Sequence, residues 1–232
     1  MTASSNGKSS SKRLSLAAWS RAQAIAMLGA VGVCAAVHAA WPVALVAPPA
    51  FAALLFLGRA AYTPQGGFGA ANAVTTLRAL MTLAVCAPPA LLGTRSVLAL
   101  VCLVLACDLL DGALARRLAQ ASPFGAHFDM ETDALLVLVV TLRLWLGEGF
   151  APWVLFAGLL RYAYVLWLWV WPGTGREAPR SRFGRYAFAC LMFGLCAGLA
   201  LPEAWGLLGV GVGTLAVSGS FARSCYFSRL SN

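Results

Sequence analysis

Long apolar runs, broken by short stretches rich in Gly, Pro and Arg, fill most of the chain after residue 20. The runs do not alternate apolar with polar positions, so they read as helices rather than half-buried strands. Eight are predicted, at about residues 22–40, 42–58, 73–92, 95–118, 123–146, 150–171, 184–201 and 204–222. Crossing the hydrocarbon takes ~20 residues of helix, so most are long enough and the second and seventh are slightly short. A helix satisfies its own backbone hydrogen bonds in lipid, which makes the expected class an all-α integral membrane protein. Residues 1–20 are Ser- and Lys-rich and predict a flexible tail leading into a short interfacial helix around Trp19. The first run has a basic start and ends in Val37-His38-Ala39, as a cleavable secretory signal does. A second apolar run follows at once, so a retained helix is expected.

Composition agrees: 60% of the 232 residues are hydrophobic and only 11% are charged. The net charge of +9 would suggest nucleic acid in a soluble protein. Here the basic residues collect in alternate loops, so no nucleic-acid partner is expected. With the N-terminus in the cytoplasm, the inner loops hold Lys8, Lys12, Arg13, Arg21, Arg59, Arg116, Arg117, Arg176, Arg180, Arg182, Arg185, Arg223 and Arg229. The outer ends hold only Arg95 and Arg143, and Trp41, Trp145, Trp153 and Trp205 fall near those ends as an aromatic belt. Both termini are thus expected inside. The seven cysteines form no CxxC pair and mostly sit in apolar runs, which predicts packing residues, with no disulfide framework and no zinc site.

The polar pattern concentrates in one place. Asp108, Asp111, Asp129 and Asp133 are the only aspartates in the chain. Ser122-Pro123 is a helix start, with serine as N-cap and proline at the first helical position, so the fourth and fifth helices meet at a short cytoplasmic turn. Counting outward from that turn puts Asp111 level with Asp129 at roughly 13 Å, and Asp108 level with Asp133 at roughly 18 Å. Spacings of three and four residues keep each pair on one helix face. Four convergent carboxylates repel one another and lose hydration. Protonation relieves this, and so do one or two hard cations such as Mg²⁺ or Mn²⁺. Two ions bridged by carboxylates suit displacement at phosphorus. Gly112, Ala115 and Gly125 leave the helix surface open beside the acids, and Arg116 is placed to meet a phosphate; small residues also serve close helix packing.

Residues 108–133 read D-x2-D-G-x2-A-R-x8-G-x3-D-x3-D. This resembles the signature of the CDP-alcohol phosphotransferases (CDP-alcohol phosphatidyltransferases), membrane enzymes that make phospholipids from CDP-activated intermediates. Asn72, Thr75 and Arg78 in "NAVTTLR" resemble the family's N-x2-T-x2-R element. The resemblance covers about residues 68–222 and implies a six-helix catalytic bundle. Residues 21–60 would then form two extra transmembrane helices, and 223–232 a cytoplasmic tail. It further implies that Asp108, Asp111, Asp129 and Asp133 hold two Mg²⁺ or Mn²⁺ ions, with Asp133 also the general base on an acceptor hydroxyl. Gly112, Ala115, Arg116 and Gly125 would shape the nucleotide end, supported by Asn72, Thr75 and Arg78. The implied substrates are CDP-diacylglycerol and an alcohol, the product CMP, and the assembly a homodimer.

The acceptor is less legible. Ala134 stands where many glycerol-phosphate-using members carry a lysine, which argues against phosphatidylglycerophosphate synthesis. The wording "ARR…SPFG…FD" resembles the choline/ethanolamine branch, with a CDP-aminoalcohol donor and diacylglycerol. Arg161, Arg180 and Arg182 are the candidates for acceptor contacts, although a positive-inside loop explains most arginines of that segment better. His127 is expected as a neutral lining residue and His38 as structural. Glu131 turns off the Asp129/Asp133 face and is left out of the metal set. "GLCAG", residues 194–198, fits small-residue helix packing and a possible dimer face. A divalent-cation transporter is the rival of another class, but the acids cluster towards one face and no internal repeat is found.

Overall fold

The computed structural model describes residues 3–171 and 182–230. These form eight α-helices with no strand among the described residues: α1 Ala3–Val37, α2 Trp41–Gly58, α3 Ala70–Ala84, α4 Thr94–Arg117, α5 Pro123–Gly147, α6 Leu155–Val170, α7 Arg182–Ala200 and α8 Glu203–Leu230. A single 3-10 turn, Pro152–Val154, leads into α6. Six segments are each long and apolar enough to cross a membrane: Leu16–Val37, Trp41–Gly58, Thr94–Arg117, Pro152–Val170, Phe183–Ala200 and Glu203–Tyr226. The protein is therefore a multi-pass, all-α membrane protein. Residues 3–20, expected as a tail and separate interfacial helix, run without a break into α1, and α8 continues through most of the expected C-terminal tail.

The third helix differs from expectation. It begins at Ala70 and stops at Ala84 instead of running to residue 92. Pro88 and Pro89 explain the stop, because a proline removes a backbone donor and disfavours helical geometry in the residue before it. The chain leaves α3 in tight turns, with Val85, Cys86 and Ala87 donating to Thr82, Leu83 and Ala84. A helix of 15 residues is only about 22 Å long, too short to span alone. α5 is long enough, but Asp129, Glu131 and Asp133 interrupt its first half.

α5 is the central helix. Every residue from Ala134 to Leu144 is buried, and Ala134–Val140 is apolar on all sides, so this part of the helix is enclosed by its neighbours rather than by lipid. α3 and α4 pack together at one side of it, and α6 at another. α1 packs on α2 and α6.

α7 and α8 make the tightest helix pair, and glycines are the cause. A Cβ added at Gly194 would run into the carbonyl of Gly209, and one at Gly213 would lie 2.6 Å from the Cα of Leu191. Gly198 and Gly206 face each other in the same seam. Lipid offers no hydrophobic drive for helices to associate, so close backbone contact supplies much of the attraction. The GLCAG stretch expected as a possible dimer face is thus used inside the chain. Gly194→Val or Gly213→Val is expected to cost about 1–3 kcal/mol or more by overpacking. Thermal unfolding in detergent would show this as a lowered midpoint, whereas Gly219→Ala, with nothing near its added Cβ, should not lower it.

Candidate metal centre and active site

The site is assembled at the turn between α4 and α5. α4 ends with Gln120 N donating to Ala115 O at 2.9 Å across Ala119, which takes a left-handed φ of 50°. This is a Schellman-like helix stop. α5 starts as the sequence predicts: Gly125 N donates to Ser122 Oγ at 2.9 Å, with Pro123 in the first turn. The two helices run antiparallel from this turn, and α3 lies against both.

All four aspartates meet one residue of α3. Arg78 is fully buried, and its NH1 donates to Asp111 Oδ2 at 2.7 Å and to Asp129 Oδ1 at 2.6 Å. Its NH2 contacts Asp108 Oδ1 at 2.9 Å and Asp133 Oδ1 at 2.6 Å. NH1 and NH2 each take one of the two levels expected from counting outward from the turn. The fork of donors on arginine suits this, since lysine offers a single point of charge. Thr75 Oγ lies 3.1 Å from both Asp111 Oδ2 and Ala71 O, so its one proton is shared between them. Arg78 Nε is buried without a partner.

Asp108, Asp111 and Asp129 each offer a carboxylate oxygen, and the three oxygens lie within 4.8 Å of one another. Asp111 is nearly enclosed, while the Asp108 and Asp129 side chains are 35% and 40% exposed and open to the surface. Asp133 is outside that trio and joins it through Arg78. An all-oxygen set of this kind fits a hard divalent cation such as Mg²⁺ or Mn²⁺, and with no Cys or His in the trio it does not suit zinc.

The other expected residues fall around this centre in different roles. Gly112 keeps the α4 surface free beside Arg116, whose guanidinium would touch a Cβ there at 3.4 Å; Arg116 is exposed at the helix end. Ala115 is half-buried on the same helix. Gly125 is closely covered, and a Cβ would meet Asn72 Oδ1 at 3.1 Å and Ser122 Oγ at 3.3 Å. Asn72 is engaged by its own chain, with Nδ2 donating to Phe68 O at 2.6 Å and Tyr62 O at 3.2 Å. Ser122 Oγ donates to the same Tyr62 carbonyl at 2.6 Å, so the linker after α2 is fastened over the start of α5. Arg161 on α6 pairs with Glu131 at 2.6 Å and not with the aspartates. Arg180 lies outside the described residues, and Arg182 is described only as the start of α7.

Two features escaped the sequence reading. The resemblance implies for Arg78 only a supporting part at the nucleotide end, whereas it is the hub of the acids. Glu131 was set aside as facing away, and it does, but it is buried with a partner. A carboxylate four residues after His127 and an arginine alone in a membrane helix were the available signals.

The sequence pattern of CDP-alcohol phosphatidyltransferases matches residues 68–219, which include α3 to α7, most of α8 and all four aspartates. The chain belongs to that family. α1 and α2 precede the matched region. Among curated proteins, the chain is similar to a CDP-diacylglycerol–glycerol-3-phosphate 3-phosphatidyltransferase of Pseudomonas fluorescens, 39% identical over 113 residues, covering 45% of this chain. The match spans 58% of that relative's length. No solved structure matches significantly.

Removing the hub should destabilise the centre. Arg78→Ala leaves four carboxylates packed together without their shared cation, and losing one partner of a buried pair costs about 3–5 kcal/mol. Excess Mg²⁺ or Mn²⁺ should restore part of the lost thermal midpoint, because a ligand bound only by the folded state stabilises it. Thermal unfolding with and without the ion checks both statements. Arg78→Lys should fall between the wild type and the alanine variant.

Proposed function

We propose that this chain transfers a phosphatidyl group from CDP-diacylglycerol to the hydroxyl of an alcohol acceptor, releasing CMP, in a reaction that depends on Mg²⁺ or Mn²⁺. The observation that carries this reading is the convergence of Asp108, Asp111 and Asp129 beside Asp133 inside the family-matched region. Family membership supports the reaction class.

Asp108, Asp111, Asp129 and Asp133 are the residues that would hold two ions. Bound there, they supply positive charge for the diphosphate of the donor and for the departing CMP. Arg78 and Thr75 hold the carboxylates in position. Gly112 and Ala115 leave room on α4 for the donor's nucleotide end, and exposed Arg116 meets its phosphate. Gly125 and Asn72 act by fixing the start of α5 under the 62–68 turn. Asp133, 23% exposed in its side chain and outside the close trio, is the candidate base. It takes the proton of the acceptor hydroxyl. The acceptor oxygen forms the new bond to the phosphatidyl phosphorus, and the diphosphate bridge bond to CMP breaks.

Glycerol 3-phosphate is the first acceptor to test, on the relative's name. That name runs against the expectation drawn from Ala134, so other alcohols belong in the same panel. The acceptor contact expected of Arg161 is not carried forward, since Glu131 takes its charge; Arg180 and Arg182 remain the candidates. The charge bias of the loops supports a cytoplasmic site with both termini inside, and a homodimer rests on the family resemblance alone.

Purified protein in lipid vesicles with CDP-diacylglycerol, Mg²⁺ or Mn²⁺ and an acceptor panel should release CMP with one acceptor. The panel holds glycerol 3-phosphate, serine, inositol, inositol phosphate and choline, with CDP-choline plus diacylglycerol run in parallel. Asp133→Asn should lower the rate by about 10²–10⁴-fold, the usual worth of a positioned base. A folded, metal-binding protein that releases no CMP from any pair would sink the reading.

A further inference from the structure

α5 carries a second polar face. His127 and Glu131 each lie two residues before Asp129 and Asp133, which puts them about 200° round the helix from the acids. That face is closed by α1 and α6. The Glu131 side chain is 3% exposed, and its Oε1 accepts from Arg161 NH2 at 2.6 Å. His127 Nε2 stands 3.9 Å from the same oxygen and 3.2 Å from Ser20 Oγ on α1. The Trp19 ring meets the His127 ring edge-on at 5.8 Å, and Trp19 Nε1 donates to Ala50 O on α2 at 2.9 Å. Arg161 Nε and the hydroxyl of Tyr162 are buried nearby without partners.

Neither Glu131 nor His127 is a fixed position of the eight-residue signature, and α1 lies before the matched residues. A buried ion pair is seldom a net source of stability, because desolvation offsets most of the attraction. What such a pair does supply is geometry. It has one good arrangement, and here it is joined to a ring and a hydroxyl from another helix. Side-chain tips sit about 5–6 Å from a helix axis, so turning α5 by about 10° would move a carboxylate by about 1 Å. Shifts of that size weaken a metal or catalytic centre severely.

We propose that Glu131 and Arg161 are positioning residues that set the rotation of α5, and so the bite of Asp129 and Asp133 on a divalent ion. α1 completes this brace through Ser20 and His127. The inference rests on the metal centre of the proposed function and not on its acceptor.

The test is Mn²⁺ binding by the full chain in detergent, read from the electron paramagnetic resonance signal of free Mn²⁺, with thermal midpoints measured alongside. Glu131→Gln and Arg161→Gln should each weaken binding by about tenfold, as loss of groups that orient metal ligands does. The exchange Glu131→Arg with Arg161→Glu should recover most of it. His127→Ala should give a smaller loss, about threefold to fivefold on the same scale. Folded single variants that bind Mn²⁺ as the wild type does would overturn the inference and leave only a structural pair. If the single variants do not fold, His127→Ala decides, and an unchanged affinity there overturns it as well. A wild type that binds Mn²⁺ but releases no CMP overturns the proposed reaction while this inference stands. A wild type that binds no Mn²⁺ removes both.

Discussion

One guanidinium holding four carboxylates is the contact on which the rest of the structure depends. Arg78 reaches Asp108, Asp111, Asp129 and Asp133 at 2.6–2.9 Å from a fully buried position. With all four acids ionised, three negative charges stay uncompensated, a poor bargain in a membrane protein unless the group has a cation to bind. The constraint fixes architecture as well. α3 must lie beside both α4 and α5, at a depth where its ninth residue meets the acids, roughly 12 Å from the start of α3. A short α3 that ends before Pro88 meets this condition without having to cross the membrane.

The two faces of α5 follow from the same demand. Its first half carries acids towards α3 and α4, and the stretch that follows, Ala134–Val140, is aliphatic all round. The charged half needs protein around it because lipid cannot solvate carboxylates. α6 covers the back of the charged half with Arg161, and α1 adds Ser20 and Trp19. The helices outside the family-matched core are therefore packed onto the candidate site rather than appended to the bundle. Trp19, Phe51 and Phe128 continue this contact as a chain of rings at 6.0–6.3 Å that ties α1 and α2 to α5.

Much of the site was legible because it depends on spacing within single helices and one short turn. The Ser122 cap, the turn length and the spacing of the aspartates together paired Asp111 with Asp129 and Asp108 with Asp133, and Arg78 divides its nitrogens along that line. What spacing does not give is which other helix stands opposite. Arg78 as hub, Glu131 with Arg161, and Gly194 against Gly209 are contacts between helices whose neighbours no local pattern names. The end of α3 was missed for a different reason. Hydropathy stays high from Leu83 to Leu92, so the apolar run continues where proline has already stopped the helix. The whole-protein activity is harder still, since an acceptor is recognised by a few side chains, and Arg176 and Arg180 lie in a segment outside the described residues.

The arrangement also weighs between catalysis and ion passage. A carrier for divalent cations needs polar groups that continue from the binding site towards the far side of the membrane. From Asp133, α5 proceeds through Ala134 to Leu142, all buried and all aliphatic except Thr141, whose hydroxyl donates to Leu138 O at 2.9 Å. The next charge is Arg143, paired with Glu148 at 3.0 Å and lining a cavity of about 130 Å³ among His38, Trp41 and Cys86 at the opposite end of the bundle. An ion leaving the aspartates along α5 would lose its oxygen ligands and find aliphatic side chains in their place. Asp108 and Asp129 are the half-exposed members of the cluster, so the aspartates reach the surface of the protein beside α4 and not through the core along α5. The aspartates therefore end the polar part of α5 instead of beginning a path along it, which favours a fixed catalytic centre over ion passage.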